Sequence, residues 1–177
     1  SAASTFSGAI TLNSHDLTIS PASGGLTFTG GIVGTGNLAL KTLSGAITIS
    51  TNSVNSVGTI TNNGTGTNTT IISGGVGSNV TAITQSSTTS SLTISTTALT
   101  VNSSGTTLTN TAGTGVLSVT GGVTGTGDLI LNNNSSTNAS VQFSGSAVNN
   151  SGSIINSGTG SGYVICSAAV GSNVSAI

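Results

Sequence analysis

Residues 54–83 read VNSVGTITNNGTGTNTTIISGGVGSNVTAI, and residues 148–177 read VNNSGSIINSGTGSGYVICSAAVGSNVSAI. The two stretches are identical at 17 of 30 ungapped positions, at an offset of 94. Upstream, Thr29–Leu38 (TGGIVGTGNL) matches Thr120–Leu129 (TGGVTGTGDL) at an offset of 91. Leu17-Thr18-Ile19 also matches Leu99-Thr100-Val101, at an offset of 82. The chain therefore reads as two tandem copies of about 90 residues, 1–83 and 84–177, in one continuous array. A unit of that length is too long for one solenoid coil and holds roughly four coils of about 20–25 residues.

Inside each copy, apolar residues alternate with Thr, Ser and Asn. Ile47-Thr48-Ile49-Ser50 and Leu92-Thr93-Ile94-Ser95 are plain cases. A period of two places one set on an inner face and the other on an outer face of a strand. Strands are expected over 9–13, 17–20, 26–29, 37–41, 46–50, 59–62, 70–73, 79–84, 92–95, 99–102, 107–110, 116–120, 128–132, 140–144, 153–156, 163–166 and 173–177. Gly, Asn and Ser clusters between them, such as Gly34-Thr35-Gly36-Asn37, read as turns. The expected fold is all-β: a right-handed parallel β-helix (β-solenoid) of about 7–8 coils. Apolar ladders would lie inside, and Thr, Ser and Asn ladders outside.

The composition agrees. Ser, Thr, Asn and Gly make up 110 of the 177 residues, and charged residues only 2%. A fold held by apolar ladders and axial hydrogen bonds needs little charge. The 34% of apolar residues, set in alternation, is not the signature of a disordered chain. One Lys gives no basis for neutralising phosphates, so no nucleic-acid partner is expected. Four aromatics cannot build the girdles of a membrane barrel, and no apolar run is long enough for a membrane helix. No basic segment precedes an apolar one as in a leader, which fits a mature or excised segment.

Chemistry-bearing residues are few. His15-Asp16 is the only adjacent ionisable pair and reads as a polar turn before Leu17. Asp128 takes the place of Asn37 in the same Gly-Thr-Gly-x-Leu phrase, where a turn or local hydrogen-bonding role covers both. Lys41 is expected to face water. Cys166 takes the place of Ile72 and is expected to be a buried small hydrophobe. Gly30-Gly31 and Gly34-x-Gly36 lack the Lys and the helix of a phosphate loop. Triplets of the form Asn-x-Ser/Thr at Asn63, Asn68, Asn79, Asn102, Asn138 and Asn173 follow from the composition. Thr-x-Thr phrases (27–29, 59–61, 107–109) raise outward Thr ladders that bind ice or polysaccharide, although they do not recur at a uniform spacing. No catalytic, cofactor or metal residue is assigned, and no enzyme is expected.

The phrases Gly74–Ser95 (GGVGSNVTAITQSSTTSSLTIS), Gly30–Leu38 (GGIVGTGNL) and Gly58–Gly66 (GTITNNGTG) resemble the autotransporter-associated β-strand repeat proteins of bacteria. Two features depart from that family: Ser95 is followed by Thr96-Thr97-Ala98-Leu99 with no Tyr, and there is no translocator barrel. The resemblance implies a right-handed parallel β-helix and an extracellular or cell-surface structural or adhesive role.

At the offset of 82, Ser1 corresponds to Ile83, and Ile177 corresponds to the same residue at 94. The chain is thus expected to stop about where it starts, two repeats later, with no capping element. Uncapped solenoid ends expose strand edges that template further pairing. The expected partners are copies of itself in a head-to-tail homopolymer, or the continuation of a longer repetitive chain, with surface glycans as a further possibility. The expected role is a structural component of an extracellular bacterial filament, sheath or surface layer. The alternatives are the stalk of a surface adhesin and an ice- or glycan-binding solenoid.

Overall fold

The computed structural model describes residues 2–111 and 113–177. It is all-β with no helix, and its parallel strands stack as a β-solenoid of about seven turns. Each pass of the chain visits three sheets in order, here called A, B and C, and is one rung. Eight rungs begin on sheet A at Ser4, Leu26, Ile47, Thr70, Leu92, Leu117, Val141 and Ile165. Registered partners on successive rungs lie 21 to 25 residues apart, matching the coil length expected from the repeat. At ~4.8 Å per step the stack is about 34 Å tall.

Three of the inward columns, one on each sheet, show how the core is built. On sheet A the column is Phe6–Phe28–Ile49–Ile72–Ile94–Val119–Phe143–Cys166. On sheet B it is Ile10–Ile32–Val54–Val76–Leu99–Val123–Val148–Val170. On sheet C it is Leu17–Leu38–Ile60–Ile83–Leu108–Leu131. The middle members are buried without exception. β-Branched residues and Leu suit a pleated surface covered from inside the coil and by the rungs on either side. Backbone bonds run along the axis, as in Ser50 N–H to the Phe28 carbonyl at 2.8 Å and Ser95 N–H to the Ile72 carbonyl at 3.0 Å.

Four sequence expectations need correction. First, Ile32–Thr35 and Val123–Gly125 are strands of sheet B, although their glycines read as turn. The short strand leaves its glycines to make the corners. At Gly34 (φ +90°) a Cβ would stand 2.6 Å from the Leu12 carbonyl oxygen of the rung below. Its repeat equivalent Gly125 (φ +102°) would meet the Val101 carbonyl at 2.4 Å. Ser4–Phe6 is a further strand that was not expected, and 173–177 holds only a bridge at Ala176.

Second, the Leu17–Ile19 match to Leu99–Val101 does not survive. Leu17 lies on sheet C and Leu99 on sheet B. Leu99 shares its column with Ile10 instead, 89 residues back. An alphabet of Leu, Thr and Ile makes three-residue matches cheap. The longer matches do hold on sheets A and B: Ile72 and Cys166 share one column, as do Val54 and Val148.

Third, not all Asn is outside. On sheet C the inward column next to Ile60–Ile83–Leu108 runs Leu40–Asn62–Gln85–Asn110–Asn133, and its four amides are buried. Asn62 Nδ2 donates to Gln85 Oε1 at 2.7 Å and to the Ser90 carbonyl at 3.1 Å. Gln85 Nε2 donates to the carbonyls of Ser87 and Ser90. Asn110 Nδ2 donates to the carbonyls of Gly115 and Ser140. This column closes the corner from sheet C to sheet A. The corner loop turns carbonyls inward there, and a buried carbonyl needs a donor.

Fourth, Cys166 is exposed, not buried. It occupies the inward sheet A column, but no rung covers it.

Candidate functional site

The chemistry-bearing residues do not converge. Among the described residues no group of three His, Cys, Asp or Glu could hold a metal ion. His15 and Asp16 are exposed on rung 1. Asp16 Oδ1 accepts the backbone N–H of Asn37 at 2.8 Å and its side-chain amide at 3.1 Å. Asn37 Oδ1 in turn accepts the N–H and hydroxyl of Thr59, both at 3.0 Å. Asp128 Oδ1 accepts the Ser153 N–H at 2.7 Å. Asp16, Asn37 and Asp128 thus do one job, accepting an N–H at the start of the sheet C strand on the next rung. The bond crosses between rungs, whereas a local turn bond was expected. Lys41 is exposed. Among the described residues no helix is long and apolar enough to cross a membrane.

Two surface hollows, of ≈ 510 and ≈ 370 Å³, carry only neutral side chains. Leu43, Thr65 and Asn68 line the first; Asn79, Thr100 and Asn102 line the second. Neither holds a group that could act as an acid or base near neutral pH.

The outer face of sheet A is more regular than the sequence suggested. One outward column is Thr5–Thr27–Thr48–Ile71–Thr93–Ser118–Gln142–Ile165. Two residues further along each strand stand Thr29, Ser50, Ser73, Ser95, Thr120, Ser144 and Ser167. Each donates its backbone N–H to the ladder residue of the rung below. A hydroxyl thus recurs after the ladder residue on seven successive rungs. The recurrence was hidden because coil length varies by four residues and Ser alternates with Thr.

The first and last described rungs expose apolar residues. On rung 1, Phe6 is 49% exposed and stacks on Phe28 with ring centroids 5.0 Å apart. Ile10 and Leu17 are half-buried. On rung 8, Val170 is 44% exposed and Ile177 is 87% exposed, and Cys166 is open beside them. Phe6, Ile10, Leu17, Cys166 and Val170 hold the same columns as the buried core. Glycines mark the same asymmetry. A Cβ on Gly30 would run into Gly8 at 2.2 Å, and one on Gly74 into the Asn52 carbonyl oxygen at 2.2 Å. A Cβ on Gly8, at the same corner of rung 1, meets nothing within 4 Å.

Comparison with known proteins returned no matching family model, no matching curated protein and no matching solved structure. The functional reading therefore rests on the geometry and on the sequence resemblance alone.

Proposed function

We propose that the chain is a structural component of an extracellular bacterial filament, sheath or surface layer, built by end-to-end stacking of solenoid units. One observation carries the reading. The inward columns of sheets A and B stay in register through every described rung, from Phe6 to Cys166 and from Ile10 to Val170, so the same column can be extended by another unit or by the continuation of a longer repetitive chain. An open edge of unpaired N–H and C=O groups with an apolar inner wall templates another rung. With a formal net charge of −1, long-range repulsion between units is negligible. The bacterial and extracellular setting comes from the resemblance to autotransporter-associated repeats.

Electron microscopy of the concentrated protein tests the reading. Long fibres with an axial reflection near ~4.8 Å are expected. Isolated rods one unit long, at every concentration, overturn it and favour an adhesin stalk. A second reading, a surface that binds an ordered hydroxyl lattice such as ice or a crystalline glycan, draws on the seven-rung hydroxyl column of sheet A. Faceting of ice crystals, or co-sedimentation with an insoluble glycan, would favour it.

A further inference from the structure

Many outward Asn side chains are tied to a neighbouring rung. Asn52 and Asn68 donate to the carbonyls of Thr29 and Ser44 at 2.9 and 2.7 Å, and Asn102 donates to the Ser78 carbonyl. Asn37, Asn55 and Asn134 accept the N–H groups of Thr59, Asn79 and Thr159, each at 3.0 Å. Asn63 differs. It is exposed, it lies just past the end of the sheet C strand Gly58–Asn62, and among the described residues its side chain has no hydrogen-bond partner. It is also the only Asn of the chain followed by Gly. Its backbone N–H bonds the Leu40 carbonyl at 3.0 Å, which sets Asn63 opposite Lys41 on the rung below. Both side chains point outward, because Leu40 and Asn62 are the registered inward pair. Lys41 is the only Lys or Arg of the chain. The following residue, Gly64, is buried against Thr42, and its carbonyl accepts the Ser87 hydroxyl. Among the described residues the Gly64 N–H bonds to nothing.

We infer that Asn63 is a site of spontaneous deamidation, with the Gly64 nitrogen as nucleophile and Lys41 as the cation beside the new carboxylate. The site does not depend on the stacking reading. The Gly64 amide nitrogen gives up its proton, and its electron pair attacks Asn63 Cγ. The Cγ–Nδ2 bond breaks, and Nδ2 leaves as ammonia with a proton equivalent to the one given up. Water then adds to one of the two carbonyls of the five-membered succinimide and opens that C–N bond, with a proton returned to the nitrogen. Addition at Cγ leaves aspartate; addition at the main-chain carbonyl leaves isoaspartate. Either acid ionises near neutral pH. Three features select this Asn. Gly64 has no Cβ to shield its nitrogen. The Asn63 amide turns onto that nitrogen without breaking a bond, whereas Asn52 or Asn102 would first lose its bond to the next rung. The Lys41 ammonium, one rung or about 4.8 Å away along the stack, favours the anionic nitrogen and oxyanion that form on the way. The product adds one negative charge to a chain of formal net charge −1 and turns a neutral pair into a cross-strand pair of opposite charge. Isoaspartate also lengthens the backbone between Asn62 of the amide column and the carbonyl that holds Ser87, which loosens the corner from sheet C to sheet A.

The test ages the intact chain in mildly alkaline buffer. Samples are digested with a protease of broad specificity, and the peptides are followed by mass spectrometry and by isoaspartyl methyltransferase labelling. Asn63 is expected to convert first, several-fold faster than Asn13, Asn138 or Asn156. Asn102 and Asn134, tied between rungs and each followed by Ser, are expected to stay intact until urea unfolds the chain. Lys41→Gln, a change at an exposed position, is expected to slow conversion of Asn63 a few-fold. Asn63→Gln is expected to remove the product from that peptide. Conversion of Asn63 in urea but not in the folded chain overturns the site, because the corner then holds the Gly64 nitrogen away from Cγ. An unchanged rate in Lys41→Gln overturns the part given to the cation and leaves the site standing.

Discussion

Ile72 and Cys166 are the same residue of the repeat, 94 positions apart, in the same inward column of sheet A. Ile72 is fully buried and Cys166 is exposed. The local backbone does not distinguish them, because each ends a short strand and each points inward. The difference is one rung. Ile94 covers Ile72, and nothing covers Cys166. Gly30 and Gly8 repeat the lesson at the other end, where the same corner is closed for one and open for the other. In a solenoid, burial belongs to the neighbour as much as to the residue.

The largest expected effect sets the two members of that pair against each other. Ile72→Ala should destabilise the chain by about 2–5 kcal/mol, since the surrounding rungs cannot collapse into the space. Cys166→Ala in the isolated unit should stay within about 0.5 kcal/mol. Urea melts of the two variants measure both, and equal losses would mean that rung 8 is covered in solution.

Gly30→Ala comes next, at about 3 kcal/mol, because its Cβ meets backbone that cannot rotate away. Gly8→Ala should leave the melting temperature of the single unit unchanged yet reduce fibre yield, because a stacked copy would bring backbone under that corner. A drop in melting temperature without loss of fibres would contradict this. Asn62→Leu removes the donor to Gln85 and the Ser90 carbonyl and the acceptor for Thr70. Its expected cost is about 1–3 kcal/mol, and hydrogen exchange should show it first in the corner between sheets C and A. A neutral result would mean that the amide column is held by packing alone.

The smallest expected effects are gains. Thr51 and Thr96 have φ of 70° and 65°, a region that a β-branched side chain avoids. They occupy the A-to-B corner that Gly75 and Gly122 serve on other rungs at φ 87° and 90°. Thr51→Gly should raise stability by up to about 1 kcal/mol, the relieved strain partly offset by the added freedom of the unfolded chain. Its melting curve, set beside that of Gly75→Ala, which should lose at least as much, tests the corner directly.

The legible and illegible parts separate cleanly. Ile47-Thr48-Ile49 could be read as a strand with Ile inward because alternation is a property of three consecutive residues. The glycine-rich 32–35 and 123–125 could not, because what makes them strands is a partner 22 or more residues away. Asn62 looked like any outer Asn; only the Gln85 amide oxygen and the inward Ser90 carbonyl on the next rung give it a reason to be inside. The hydroxyl column of sheet A was invisible because insertions in the loops move its members out of phase in the sequence and leave them in phase in space.

By itself, then, the sequence determined the strand alphabet, the inward and outward sets within each strand, the coil length and the near absence of charge. These follow from period-two alternation, the internal repeat and composition, all of them properties of the chain read in order. The tertiary structure alone decided which glycine-rich segments form sheet B, where the amides go and which column members are covered. Each of those depends on which residue lies above or below, and stacking fixes that through loops that make the rungs 21 to 25 residues long.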